Sequence, residues 1–117
     1  MTDSLNDLRA SITSFVAERD WAQFHTPKNL AMAMIVEAAE LVEHFQWDTP
    51  VESQQLSPEK REAVSHELAD TLVYLLRLAE VLQIDLIEAT NKKIALNALK
   101  YPVEKAKGSN AKYTQYL

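Results

Sequence analysis

Four carboxylates carry the densest chemistry in this 117-residue sequence: Glu37 with Glu40, and Glu67 with Asp70, the two pairs offset by 30 residues. Each pair is followed by a polar ring, giving Glu37-x-x-Glu40-x-x-x-His44 and Glu67-x-x-Asp70-x-x-x-Tyr74. Acids three residues apart share one flank of an α-helix. If two such flanks face each other, four carboxylates converge and repel unless protons or cations intervene. Hard oxygen ligands without cysteine or a histidine cluster favour Mg2+ or Mn2+. A solvated helix flank is the usual fate of any single pair; two matched pairs weigh against it. Zinc-protease chemistry fails because His66-Glu67-Leu68-Ala69-Asp70 puts Asp70 where the second histidine of HExxH must stand. A di-iron bundle fails because no histidine follows Glu37 or Glu67 at the third position. His25, His44 and His66 are scattered, and each reads as a polar packing or rim residue rather than a metal ligand.

A second constellation is basic. Residues 1–90 hold 16 acids and 6 bases, whereas residues 91–117 hold one acid and 6 lysines. The acidic body repels polymeric nucleic acid and suits a cation, and the clustered lysines suit phosphate. Lys93, Asn97 and Lys100 share a helix face, and Lys105, Lys107 and Lys112 surround Gly108, the only glycine, which can let backbone donors approach a phosphate. Each lysine alone also reads as surface solubility. Trp21, Phe24 and Trp47 flank the expected helix ends, placed either to stack a nucleobase or to cap the core or a dimer interface.

The elements that must position these residues are helices. Leu5, Leu8, Ile12, Phe15 and Val16 recur at helical spacing and predict a helix over about 3–18. An aromatic loop through Pro27 separates it from a second helix over Asn29 to about Phe45. Ser57 and Pro58 open a third that runs to about Leu82, and Asp85 with Glu88 resembles a capping box opening a fourth that ends at Lys100, before Tyr101-Pro102. At about 100° per residue, Glu37 and Glu67 each border the apolar stripe of their helix. No strand pattern competes. The expectation is an all-α four-helix bundle, one domain over 1–117, with a flexible basic tail at about 102–117.

Exclusions narrow the chemistry. A single glycine rules out the P-loop, the GxGxxG fingerprint and the Gly-x-Ser-x-Gly elbow, and the lack of cysteine rules out disulfides, thiolate nucleophiles and iron–sulfur sites. The first residues hold neither a basic segment nor an apolar run, and no stretch of 18 apolar residues follows, which predicts a cytoplasmic protein that neither spans nor anchors in a membrane.

Taken together, these residues resemble the all-α nucleoside triphosphate pyrophosphohydrolases of the MazG-like superfamily, whose motif is Glu-x-x-Glu, a spacer, and Glu-x-x-Asp. The spacer here is 26 residues. The likeness extends toward the dCTP pyrophosphatase branch through Ala17-Glu18-Arg19-Asp20-Trp21, Gln23-Phe24-His25, Pro27-Lys28-Asn29-Leu30, Phe45-Gln46-Trp47, Tyr101-Pro102-Val103, Lys107-Gly108-Ser109 and Lys112-Tyr113-Thr114. The resemblance implies Mg2+-dependent hydrolysis of dCTP or a modified dCTP to monophosphate and pyrophosphate, a role in sanitising the nucleotide pool. It implies metal held by Glu37, Glu40, Glu67 and Asp70; in-line attack at the α-phosphorus then needs a carboxylate, Glu37 or Glu40, to orient or deprotonate the water. It implies a base enclosed by Trp21 and Trp47, substrate contacts from His25 and Tyr74, and phosphate or sugar contacts from Lys93, Asn97, Tyr101 and Lys112. Assembly as a homodimer or homotetramer is implied as well. Two positions depart from the pattern: Ile12 replaces a histidine that helps dCTP-directed members recognise the base, and Lys100 replaces the usual arginine before Tyr-Pro. The alternatives are a related pyrophosphohydrolase acting on another nucleotide, such as phosphoribosyl-ATP, and a non-catalytic helical interaction module.

Overall fold

The computed structural model describes residues 4–117, and all the regular structure in them is helical. Asp3, where the apolar pattern places the first helix start, lies outside the described residues. α1 spans Leu5–Glu18, α2 Pro27–Glu43, α3 Pro58–Val81, α4 Leu86–Lys100 and the short α5 Val103–Ala106. Each of the four long helices starts at a side-chain cap. Ser4, Thr26, Ser57 and Asp85 accept a hydrogen bond from the backbone N–H three residues on, satisfying a donor that the helix itself leaves unpaired.

α2 begins two residues before its expected start. Pro27 reads as a loop residue, but at the first helical position its missing N–H costs nothing and its fixed φ suits the helix. At the other end, His44 and Phe45 donate to the carbonyls of Leu41 and Val42, three residues back, so the last turn tightens and α2 ends at Glu43. The capping box at Asp85 forms by half. Asp85 Oδ1 accepts from the Glu88 N–H at 3.0 Å, while the Glu88 carboxylate pairs forward with Lys92 at 2.8 Å. The left-handed backbone after α1 and after α3 falls on Asp20 (φ 52°) and Gln83 (φ 57°), where glycine would be the unstrained choice.

The chain divides into two compact units, one ending at Gln83 and the other Ile84–Leu117. In the first, α2 packs along α3 and α1 lies against α3. Its core is small: Ile12 and Val16 from α1, Leu30 from α2, and Val64, Leu76 and Ala79 from α3, with Arg77 the buried charged residue among them. The stripes expected to be core are wider than the core they meet. Ile35 is 63% exposed and Val42 60% on the margin of α2 away from Glu37, and Leu68 is 53% exposed within the stripe of α3, because three helices leave part of a stripe about 140° wide uncovered. In the second unit, α4 is followed by α5 and by a single 3-10 turn at Tyr113–Tyr116. The segment expected as a tail therefore holds two short helical pieces. The Tyr101 ring meets those of Tyr113 and Tyr116 edge-on, each with centroids 6.1 Å apart, and Lys105 Nζ donates to the Tyr116 carbonyl at 2.7 Å. Among the described residues, no helix is long and apolar enough to cross a membrane.

Candidate active site

The packing of α2 on α3 turns the two acidic flanks toward each other. Ligand atoms of Glu37, Glu67 and Asp70 lie within 4.8 Å of one another. Glu37 Oε2 and Glu67 Oε2 are buried, and among the described residues neither has a hydrogen-bond partner. The other oxygen of Glu67, Oε1, faces His44 Nε2 at 3.8 Å. Buried carboxylate oxygens without donors are costly and rare. Burial is the main force pushing the Glu37 carboxyl up to about 7, followed by the adjoining carboxyl of Glu40, through hydrogen bonding and charge, and by the charges of Asp70 and Glu67. Glu40 thus stands beside Glu37 but outside the three-acid group. The donor set is all oxygen and in excess of negative charge, with Glu37 and Glu67 half-buried and Asp70 exposed, which fits a hard divalent cation reached from solvent.

Glu37 and Asp70 open onto a cavity of about 500 Å3 in the first unit, a size suited to a small molecule. Ile12, Phe15 and Val16 of α1 and Trp21 of the following loop line its apolar side, while Glu37, Asp70 and Tyr74 line another part of its wall. Trp21 is held edge-on to Phe15, centroids 5.7 Å apart, and the Arg19 guanidinium covers the Phe15 ring at 3.6 Å. His25 and Arg77 complete the polar lining.

Of the residues singled out by sequence, the fold brings Glu37, Glu40, Glu67 and Asp70 to one place and gathers Trp21, His25 and Tyr74 around the adjoining cavity. Trp47 is 88% exposed and is not part of that lining. Lys93 and Asn97 lie on α4, Tyr101 at its end, and Lys112 before the 3-10 turn, all in the second unit. Sequence reasoning missed Arg77. Its signal was available: Arg77 falls seven residues after Asp70 and three after Tyr74, on the same flank, inside an otherwise apolar Leu75-Leu76-Arg77-Leu78-Ala79 run.

Residues 32–116 match the MazG-like family. The chain belongs to that family. The MazG-like chain is 44% identical to dCTP pyrophosphatase 1 of Mus musculus over 113 residues, covering 95% of this chain and 66% of the mouse protein. Against dCTP pyrophosphatase 1 of Homo sapiens the identity is 44% over 114 residues, covering 96% and 67%. It therefore spans about two thirds of the length of these curated relatives. A solved structure, that of a pyrophosphatase from Archaeoglobus fulgidus, superposes with a TM-score of 0.80 at 38% identity, covering 87% of this MazG-like chain and 95% of the other.

Proposed function

We propose that this protein hydrolyses a nucleoside triphosphate, with dCTP or a modified dCTP the leading substrate, to the monophosphate and pyrophosphate. The observation that carries the reading is the trio Glu37, Glu67 and Asp70, whose packed carboxylates include two buried oxygens that find no donor among the described residues. The names borne by the mammalian relatives and the archaeal structure support the same reaction.

In this reading Glu37, Glu67 and Asp70 hold Mg2+, with Mn2+ as a substitute, and Glu40 completes the acidic wall. The ion supplies charge neutralisation for the phosphate chain and the leaving pyrophosphate. Glu40, adjoining Glu37 yet outside the three-acid group, is the carboxylate available to take the proton of the attacking water at the α-phosphorus. Trp21 supplies a face for the base, and His25 and Tyr74 supply polar contacts within the same cavity. Trp47, Lys93, Asn97, Tyr101 and Lys112 are assigned to base, sugar or phosphates on residue type and family resemblance. The protein acts in the cytoplasm as a homodimer or homotetramer that clears the nucleotide pool, and the apolar margins left exposed on α2 and α3 support self-association.

Incubation with dCTP and Mg2+, with products resolved by ion-exchange chromatography, tests the reading. The expected products are dCMP and pyrophosphate. Orthophosphate with dCDP, or unchanged dCTP in a panel where another triphosphate is cleaved, would overturn the reaction or the substrate respectively.

A further inference from the structure

Arg77 is a charged side chain with only 7% of its surface exposed, and its position is fixed from two sides. Its Nη1 donates to Glu80 Oε2 at 3.2 Å, and that carboxylate also accepts the Thr13 hydroxyl of α1 at 2.6 Å and pairs with Arg9 at 3.7 Å. Its Nε donates to His25 Nδ1 at 3.1 Å. The second contact has a chemical consequence. A guanidinium keeps its protons at any working pH, so it can only donate, and the imidazole nitrogen facing it must be the bare acceptor. His25 is thereby confined to the tautomer whose single proton sits on Nε2. Burial first, and the neighbouring Arg77 charge second, lower the pKa of His25 and keep the ring neutral.

We infer that Arg77 is a positioning residue for nucleobase recognition: it locks His25 so that Nε2–H stands as a fixed donor in the cavity beside Trp21. The inference rests on the proposed nucleotide substrate and adds the way its base is read. Ile12, on the apolar side of the same cavity, offers no hydrogen bond, so a base stacked there must find polar partners elsewhere on the wall. Among the polar groups of the wall, a donor fixed in this way favours a base edge that presents an acceptor, such as a pyrimidine carbonyl. Glu80, through Thr13 and Arg9, ties the device to α1, the helix that forms the apolar side of the cavity.

Long-range 1H–15N correlation spectra of histidine-labelled full-length protein near neutral pH read the tautomer directly. The expected pattern is a protonated Nε2 and a bare Nδ1 for His25 in the wild type, giving way to a tautomer mixture in Arg77→Met. Steady-state kinetics with dCTP should show KM rising about tenfold in Arg77→Met with kcat held within about twofold, because the contact binds the base and leaves the phosphates alone. Arg77→Lys, which restores a donor to Nδ1, should recover most of the loss. Two variants at His25 leave Arg77 in place and cover the case in which Arg77→Met does not fold. Gln carries its amide N–H near the position of Nε2 and should keep KM within about threefold, whereas Asn carries it near Nδ1 and should raise KM about tenfold. A wild-type His25 protonated on Nδ1, an unchanged KM in folded Arg77→Met, or equal KM values for the Gln and Asn variants would each overturn the inference. Wild-type protein that cleaves no triphosphate while showing the Nε2–H tautomer would overturn the enzymatic reading and leave the Arg77–His25 geometry standing.

Discussion

Glu37 is where one proton reports on the site. An unfolded glutamate titrates near 4.5, whereas in the fold Glu37 is pushed up to about 7. Between those values the folded chain keeps a proton that the unfolded chain has released. The sign follows: the stability linked to this group is fully present below the unfolded value and is lost as pH rises through about 7. Calorimetry on metal-free protein should therefore show the melting temperature falling between about pH 5 and about pH 8, with a shallower fall in Glu37→Gln. A divalent cation binds the ionised carboxylates and opposes the repulsion, so Mg2+ should raise the melting temperature more at the upper pH than at the lower. Catalysis needs the same groups charged. Glu37→Gln and Asp70→Asn should each lower dCTP turnover by at least about a hundredfold while leaving the helical circular dichroism intact, and wild-type rates in either would remove the carboxylates from the chemistry.

The helices that aim these carboxylates were legible because their signals are local. Ser57-Pro58 and Asp85 mark starts that the structure places where the sequence puts them, and the three-residue spacing of the acids already put each pair on one flank. What was not legible was one local start masked by its neighbours and those features that depend on partners distant in sequence. Thr26-Pro27 carries the same cap-and-proline signature as Ser57-Pro58, but the aromatic run before it reads as loop and hides the start of α2. The Arg77–His25 contact joins residues 52 apart, and no periodicity within α3 encodes it. The stripe width of α2 and α3 was readable, yet how much of it the chain covers is set by how many helices pack there. Caps and core make separate tests. Ser57→Ala should cost about 1 kcal/mol through the unpaired Lys60 N–H. Leu30→Ala should cost about 2–5 kcal/mol, because Leu30 is 1% exposed and the surrounding helices cannot close on the cavity left behind. Urea denaturation with an unchanged slope measures both, and a loss at Leu30 no greater than at Ser57 would mean that the core collapses around the missing side chain.

At the scale of the whole molecule, large apolar side chains on the described residues stay exposed along the helices that carry the acids. Only six apolar side chains are buried among the described residues, while Ile35, Val42, Leu68, Leu72 and Leu75 on the two helices that carry the acids stay between 36% and 63% exposed. Small domains bury the least of their surface on folding, and a contiguous apolar face rimmed with charge is the usual mark of an interface. The exposed margins lie on the same helices as the carboxylates, so covering them from outside would also stiffen the walls of the metal site. Self-association should then be coupled to activity. Size-exclusion chromatography with light scattering should give a dimer or tetramer at micromolar concentration, with a melting temperature that rises with protein concentration. Ile35→Glu combined with Leu68→Glu places charge on the exposed apolar stripe of both helices, and it should shift the species toward monomer, lower the melting temperature and reduce turnover, although neither residue is among the acids or the cavity lining. A double variant that becomes monomeric and keeps full turnover would show that the site is complete within one chain, and a wild type that is monomeric at every concentration would separate the apolar margins from assembly.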